Sequence, residues 1–167
     1  MPMLGFGVFK VTDKAECKQA VLNAIRTGYR LIDTAAVYDN EDAVGEAVRE
    51  AIAEGLCTRE ALFITSKLWV RGHGQHRDGE SRDCRVIKKN RASEYFDLYL
   101  LHQAMGDYFS ARRALEEAYE AGTLKAIGVS NFYPHVLANF CETVRIKPMV
   151  NQLNCILISR SPRRWKP

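Results

Sequence analysis

The chain has 167 residues, a net charge of +4, 47% hydrophobic residues, 10% aromatics and five prolines, the composition of one ordinary globular domain and not of a disordered chain. No apolar run approaches the ~20 residues of a bilayer span, and no basic stretch followed by an apolar run opens the chain, so neither a membrane nor a secretory destination is expected. The positive charge is local, with seven basic against three acidic residues in 71–92 and four basic with no acidic residues from Leu157 onward; neither segment has aromatic interleaving or periodicity, so no nucleic-acid partner is expected.

Short apolar runs alternate with amphipathic stretches, the pattern of a parallel sheet wrapped by helices. Leu4 to Val8 reads as a first strand. Thr12 or Asp13 then caps a helix whose stripe is Val21, Leu22 and Ile25, closed by Gly28. Leu31 to Asp33 is a second strand, followed by a helix with Val44, Ala47, Val48, Ala51 and Ile52 on one face and Glu41 and Asp42 in its first turn. Leu62 to Lys67 is the third strand, Asp97 to Leu101 the fourth and Ala126 to Ser130 the fifth. A helix with Ala111, Ala114, Leu115 and Ala118 on one face, stopped by Gly122, joins the last two. Pro134 opens a further helix with Leu137, Phe140, Cys141 and Val144 inward, and Met149 to Asn151 begins a sixth strand. Strand starts at 31, 62, 97, 126 and 149 recur at the length of a βα unit.

Six such strands suit either a doubly wound sheet or part of an eight-stranded barrel. The third glycine of a GxGxxG turn is missing after Gly5 and Gly7, which disfavours the doubly wound dinucleotide fold. Asp33, Lys67, His102, Ser130, Asn131, Asn151 and Gln152 all stand at the carboxyl ends of successive strands, where barrels place their active sites. Gathered in one mouth, they suggest an acid–base relay. Asp33 would keep Lys67 charged, and Lys67 would lower the pKa of a nearby phenol. Tyr38, five residues past Asp33, is the natural phenol. With His102 offering a second hydrogen bond, Tyr38 could protonate a carbonyl oxygen, and a nicotinamide cofactor would complete the reaction as hydride source.

The strings LGFGVFKV at 4–11, GYRLIDTAAVYDNEDAVGEAV at 28–48, LFITSKLW at 62–69, DLYLLHQ at 97–103, KAIGVSNF at 125–132 and VNQ at 150–152 resemble the aldo-keto reductases, in the manner of the bacterial-type members. The resemblance implies a (β/α)8 barrel that uses NADPH, or less often NADH, without a metal. It implies a catalytic tetrad of Asp33, Tyr38, Lys67 and His102 that reduces an aldehyde or ketone, with Tyr38 as proton donor. Gly7, Asp33, Ser130, Asn131 and Gln152 would lie against the cofactor, Gly5 and Gly7 allowing the first loop to approach it. Trp69 and His102 would face the substrate, a small carbonyl compound.

Three departures from the family pattern shape the remaining expectations. Residues 71–92 hold three glycines and no helical stripe where a third helix belongs, as if the reading frame had changed and then recovered. His73, His76 and Cys84 in that segment lack the ligand set of a zinc site. After Gln152 the family pattern gives way to a non-family tail over 153–167, so residues 1–152 are expected to form a partial barrel lacking its seventh and eighth strands. Open edges at the first and sixth strands would favour self-association, and Leu31, Ile64 and Val129 are expected to face an interior without partners across the axis. A fragment that binds no cofactor is the rival reading, and a Schiff-base role for Lys67 is disfavoured by Asp33 beside it. Cys17, Cys57, Cys84, Cys141 and Cys155, odd in number and without CxxC, suit a reducing, cytoplasmic compartment.

Overall fold

Asp13 starts the first helix because its carboxylate accepts the Glu16 amide at 2.8 Å, satisfying a donor that a helix start leaves open. In the computed structural model, which describes residues 1–70 and 95–154, this helix, α1 (Lys14–Arg26), joins strand β1 (Gly5–Gly7) to β2 (Leu31–Asp33). The chain continues through α2 (Glu41–Ala53), β3 (Phe63–Leu68), β4 (Leu98–Leu101), α3 (Tyr108–Glu120), β5 (Ile127–Ser130), α4 (Pro134–Thr143) and β6 (Asn151–Gln152). The anomalous 71–92 segment with His73, His76 and Cys84, and most of the tail after Gln152, lie outside the described residues.

The six strands are parallel and ordered β1-β2-β3-β4-β5-β6, each hydrogen-bonded to the next in sequence. No reversal of order occurs, so there is no switch point of the doubly wound type, and the sheet is a sector of a (β/α)8 barrel.

The outer face of the sheet meets the helices across one core. Val21, Leu22 and Ile25 of α1, Val44, Ala47 and Val48 of α2, and Leu115 of α3 pack with Ile32, Ile64, Leu101 and Val129 of the strands. Ile64 and Val129 are therefore buried against helices, not directed at the barrel interior as the sequence suggested. The register gives the reason. Thr65 aligns with Asp33 and Leu98, and Lys67 with Leu100 and Gly128, so the inward parity falls on the residues between the aliphatic ones. Leu31 does belong to the inner parity. Ile52 is 36% exposed, because eight residues carry it about 80° round the helix from Val44, to the margin of the stripe. On α4 only Phe140 is fully buried, packed against Phe132 with ring centroids 4.9 Å apart, while Val144 already lies past the helix end.

Gly5 and Gly128 make the inner face close-packed. A Cβ on Gly5 would lie 2.5 Å from Leu31 Cδ2. One on Gly128 would lie 2.5 Å from the Val150 carbonyl oxygen and 2.7 Å from Leu100 Cδ2. Neither obstacle can yield freely, since one is backbone and the other is fully buried. Gly128→Ala is therefore expected to cost about 2–3 kcal/mol by overpacking, read as a lower urea midpoint with an unchanged slope. An unchanged midpoint would contradict the contact.

Candidate active site

The parallel arrangement brings every strand's carboxyl end to one rim, and the polar residues singled out in the sequence stand there together. Asp33 ends β2, Lys67 is the penultimate residue of β3, His102 follows β4, Ser130 ends β5 and Gln152 ends β6. Tyr38 comes from a single 3-10 turn, Ala36–Tyr38, in the connection between β2 and α2.

Lys67 is 3% exposed and forms an ion pair with Asp33 Oδ1, while its Nζ also donates to the Thr34 carbonyl at 2.9 Å. The other carboxylate oxygen of Asp33 accepts Gln152 Nε2 at 3.1 Å, a contact across the concave face between β2 and β6. Lys67 Nζ stands 5.3 Å from the centroid of the Tyr38 ring, and the His102 ring lies edge-on to the same ring at 5.7 Å. Trp69 packs edge-on against His102 at 5.1 Å, and Phe9 lies against Tyr38 at 5.0 Å. Asn131 Nδ2 donates to the His102 carbonyl at 3.2 Å and to Ser130 Oγ at 3.1 Å. Asp33, Tyr38, Lys67, Trp69, His102, Ser130, Asn131 and Gln152 thus share one rim, whereas Asn151 falls on the outward parity beside Val129, where its Nδ2 donates to the Phe132 carbonyl at 2.7 Å.

Burial decides the protonation states. The Tyr38 phenol is pushed up to about 12, first by desolvation and then by the Asp33 charge. This corrects the expectation that Lys67 would lower it: burial of the phenol, with the Asp33 charge adding to it, sets the direction. The Lys67 ammonium itself is lowered by burial, with Asp33 opposing that shift through its charge and hydrogen bond. His102 is lowered to about 4 by burial and by the Lys67 charge, with Asp33 opposing. At neutral pH the site therefore holds a protonated phenol and a neutral imidazole. Such a pair can give a proton to, and hydrogen-bond, an oxygen gaining negative charge.

Several polar groups retain bonding capacity. The buried Nδ1 of His102 has no partner. Ser130 offers a hydroxyl, and Asn131 and Gln152 offer side-chain carbonyls, the mixture of donor and acceptors that a carboxamide requires. Gly5 is accounted for by Leu31, but a Cβ on Gly7 would meet only the Asp33 carbonyl oxygen, at 4.0 Å, so open space lies beside the rim there. Among the described residues no group of three or more His, Cys, Asp or Glu is placed to hold a metal, and no helix is long and apolar enough to cross a membrane.

Sequence reasoning missed Asn40 and the pair of Ser66 and Glu41. Ser66 donates to Glu41 behind the site, joining β3 to the start of α2. Asn40 occupies the N-cap position of α2, yet its side chain makes no capping bond. An asparagine before a helix signals a cap, so nothing in the sequence pointed to its other bonds.

A family model described as Aldo/keto reductase family matches residues 3–165. An uncharacterized oxidoreductase, YtbE, from Bacillus subtilis (strain 168) is 47% identical over 154 residues, covering 92% of this chain and 54% of that protein. Glyoxal reductase from the same organism is 44% identical over the same shares. A crystal structure of a Bombyx mori aldo-keto reductase, AKR2E4, in complex with NADP superposes with a TM-score of 0.82 at 35% identity, covering 93% of this chain and 55% of that one. The chain spans about half the length of the curated relatives it matches.

The His102 shift has a measurable sign. Between about pH 4 and the ordinary value of 6.5 the unfolded chain binds a proton that the folded chain does not, so stability falls as pH drops through that window. The loss is about 3 kcal/mol once the pH is below both values. A proton-NMR titration of His102 should show a midpoint near 4; a midpoint near 6.5 would contradict its burial beside Lys67.

Proposed function

The chain belongs to the aldo/keto reductase family, and we propose that it carries the site of an NAD(P)H-dependent reduction of aldehydes or ketones to alcohols. The observation that carries this reading is the buried Lys67–Asp33 pair with the Tyr38 ring centroid 5.3 Å from Lys67 Nζ and the His102 ring edge-on to Tyr38 at 5.7 Å. A nicotinamide cofactor, when bound, would supply the hydride to the carbonyl carbon. Tyr38 gives its hydroxyl proton to the carbonyl oxygen as negative charge develops there and recovers a proton from solvent. Neutral His102 donates a second hydrogen bond to the same oxygen and is too weak a base to be the acid at neutral pH. Lys67, held by Asp33 and Thr34, contributes positive charge on the Tyr38 side.

Ser130, Asn131 and Gln152 would bind the carboxamide of the nicotinamide, Gln152 exchanging its Asp33 contact for the ligand, and Gly7 and Asp33 would line the cofactor's approach. Trp69 and His102 would bound the substrate. The NADP bound to the silkworm structure favours NADPH over NADH, and the glyoxal reductase relative favours small carbonyl substrates. Cys17, Cys57 and Cys141 are free thiols, in keeping with a reducing, cytoplasmic setting. The exposed apolar side chains Met3, Leu4 and Phe9 flank β1, and Met149 and Leu153 flank β6, which favours self-association through those edges.

Titrating the chain with NADPH should quench tryptophan fluorescence saturably and raise the melting temperature. Tyr38→Phe is expected to retain that binding and to lose about 10²–10⁴ in the rate of carbonyl reduction. An unchanged rate would remove Tyr38 from its assigned role. A folded chain that does not respond to NADPH would reject the cofactor reading. In sedimentation velocity, a monomer at every concentration would reject association through the edges.

A further inference from the structure

Two loops meet behind the Tyr38 ring, and one side chain bonds both of them. Asn40 is fully buried. Its Nδ2 donates to the carbonyls of Val8 at 3.1 Å and Val11 at 3.0 Å, while its Oδ1 accepts from Thr34 Oγ1 at 2.8 Å. The first two bonds secure the loop after β1, which carries Phe9. The third secures the chain just after β2, ahead of the turn that presents Tyr38. Every bonding direction of the carboxamide except one acceptor lone pair is used.

The backbone carries a second, independent sign. Lys10 has φ of 66° and lies between Val8 and Val11; Asp39 has φ of 56° and lies between Tyr38 and Asn40. Left-handed conformations at residues other than glycine persist only where the surroundings fix them. Lys10 adjoins Val11, one of the groups that Asn40 holds, and Asp39 adjoins Asn40 itself. The two loops they shape are the ones that bring Phe9 and Tyr38 into ring contact at 5.0 Å.

We infer that Asn40 is a positioning residue of this site: its buried carboxamide ties the Phe9 loop to the Tyr38 turn and so sets where the phenol stands relative to Lys67 and His102. The inference rests on the reading of Tyr38 as proton donor, and Asn40 acts through Tyr38 without touching substrate or cofactor.

The test uses the full chain with isotope-labelled aromatic residues, the Tyr38 signals being assigned by their absence in Tyr38→Phe. Asn40→Ala is expected to abolish the nuclear Overhauser contact between the Phe9 and Tyr38 rings. It is also expected to lower kcat for carbonyl reduction about 10- to 100-fold, with KM changed far less, as a displaced catalytic group does. Val21→Ala, a core change on α1, is the control for lost stability and should keep both the ring contact and kcat. Should Asn40→Ala fail to fold, Thr34→Val removes one of the three bonds at nearly constant volume, and a weakened contact with a severalfold lower kcat is expected. A folded Asn40→Ala, or in its place Thr34→Val, with the parent's ring contact and kcat overturns the inference, as does an equal loss in Val21→Ala. If the parent chain reduces no carbonyl compound, the proposed function fails, and the ring contact alone then decides whether Asn40 positions Tyr38.

Discussion

A lysine withdrawn almost entirely from water requires a counter-charge at contact distance, and Asp33 meets that requirement for Lys67. Burial sets the protonation of the rim, and this pair adds to it. Burial first, and then the lysine's charge, keeps His102 neutral, and burial first, and then the aspartate's charge, keeps Tyr38 protonated. Because Lys67 and Asp33 sit on adjacent parallel strands, the pair also fixes the ends of β2 and β3 against one another. Asp33 then uses its remaining oxygen to hold Gln152 at the opposite margin of the sheet.

The sheet serves two different demands with its two faces. Outward, aliphatic residues of alternate parity meet the helices in a continuous core. Inward, the same strands present Asp33, Thr65 and Lys67, with Gly128 leaving room for Leu100 and for the strand beyond. A barrel strand can therefore carry a charged residue without breaking its packing, provided that residue falls on the inward parity and near the carboxyl end. In β3 the run Phe63–Leu68 meets both conditions at Lys67.

Most of this was legible in the sequence because periodicity and strand ends are local properties. The first five strands lie within a residue of the segments read from their apolar runs and β6 starts two residues later than read, while Asp33, Lys67, His102, Ser130 and Gln152 stand where those runs placed them. Two things were not legible. Which parity faces inward depends on the pairing register, and a run such as Leu-Phe-Ile-Thr-Ser-Lys has apolar residues on both faces, so Ile64 was assigned to the wrong side. The direction of the Tyr38 shift depends on how far the phenol is buried and on how near Asp33 stands, and only coordinates give both. Asn40 escaped notice for a different reason. Two of its three partners are main-chain carbonyls some thirty residues away, and a carbonyl leaves no mark in a sequence.

The neighbour-only strand order has a further consequence, for how the chain reaches this arrangement. Each strand pairs with the one before it, so every pairing closes a loop no longer than a single βα unit, and the entropic cost of each closure stays modest. Pairing of each strand with its predecessor suits stepwise assembly from the amino terminus as the polypeptide emerges. The Asp33–Gln152 hydrogen bond stands apart, for it joins residues 119 positions apart. Until β6 has docked, Asp33 has no Gln152 to bind, and that carboxylate oxygen remains hydrated. The scaffold can thus form progressively, while this contact across its rim is made only when β6 arrives.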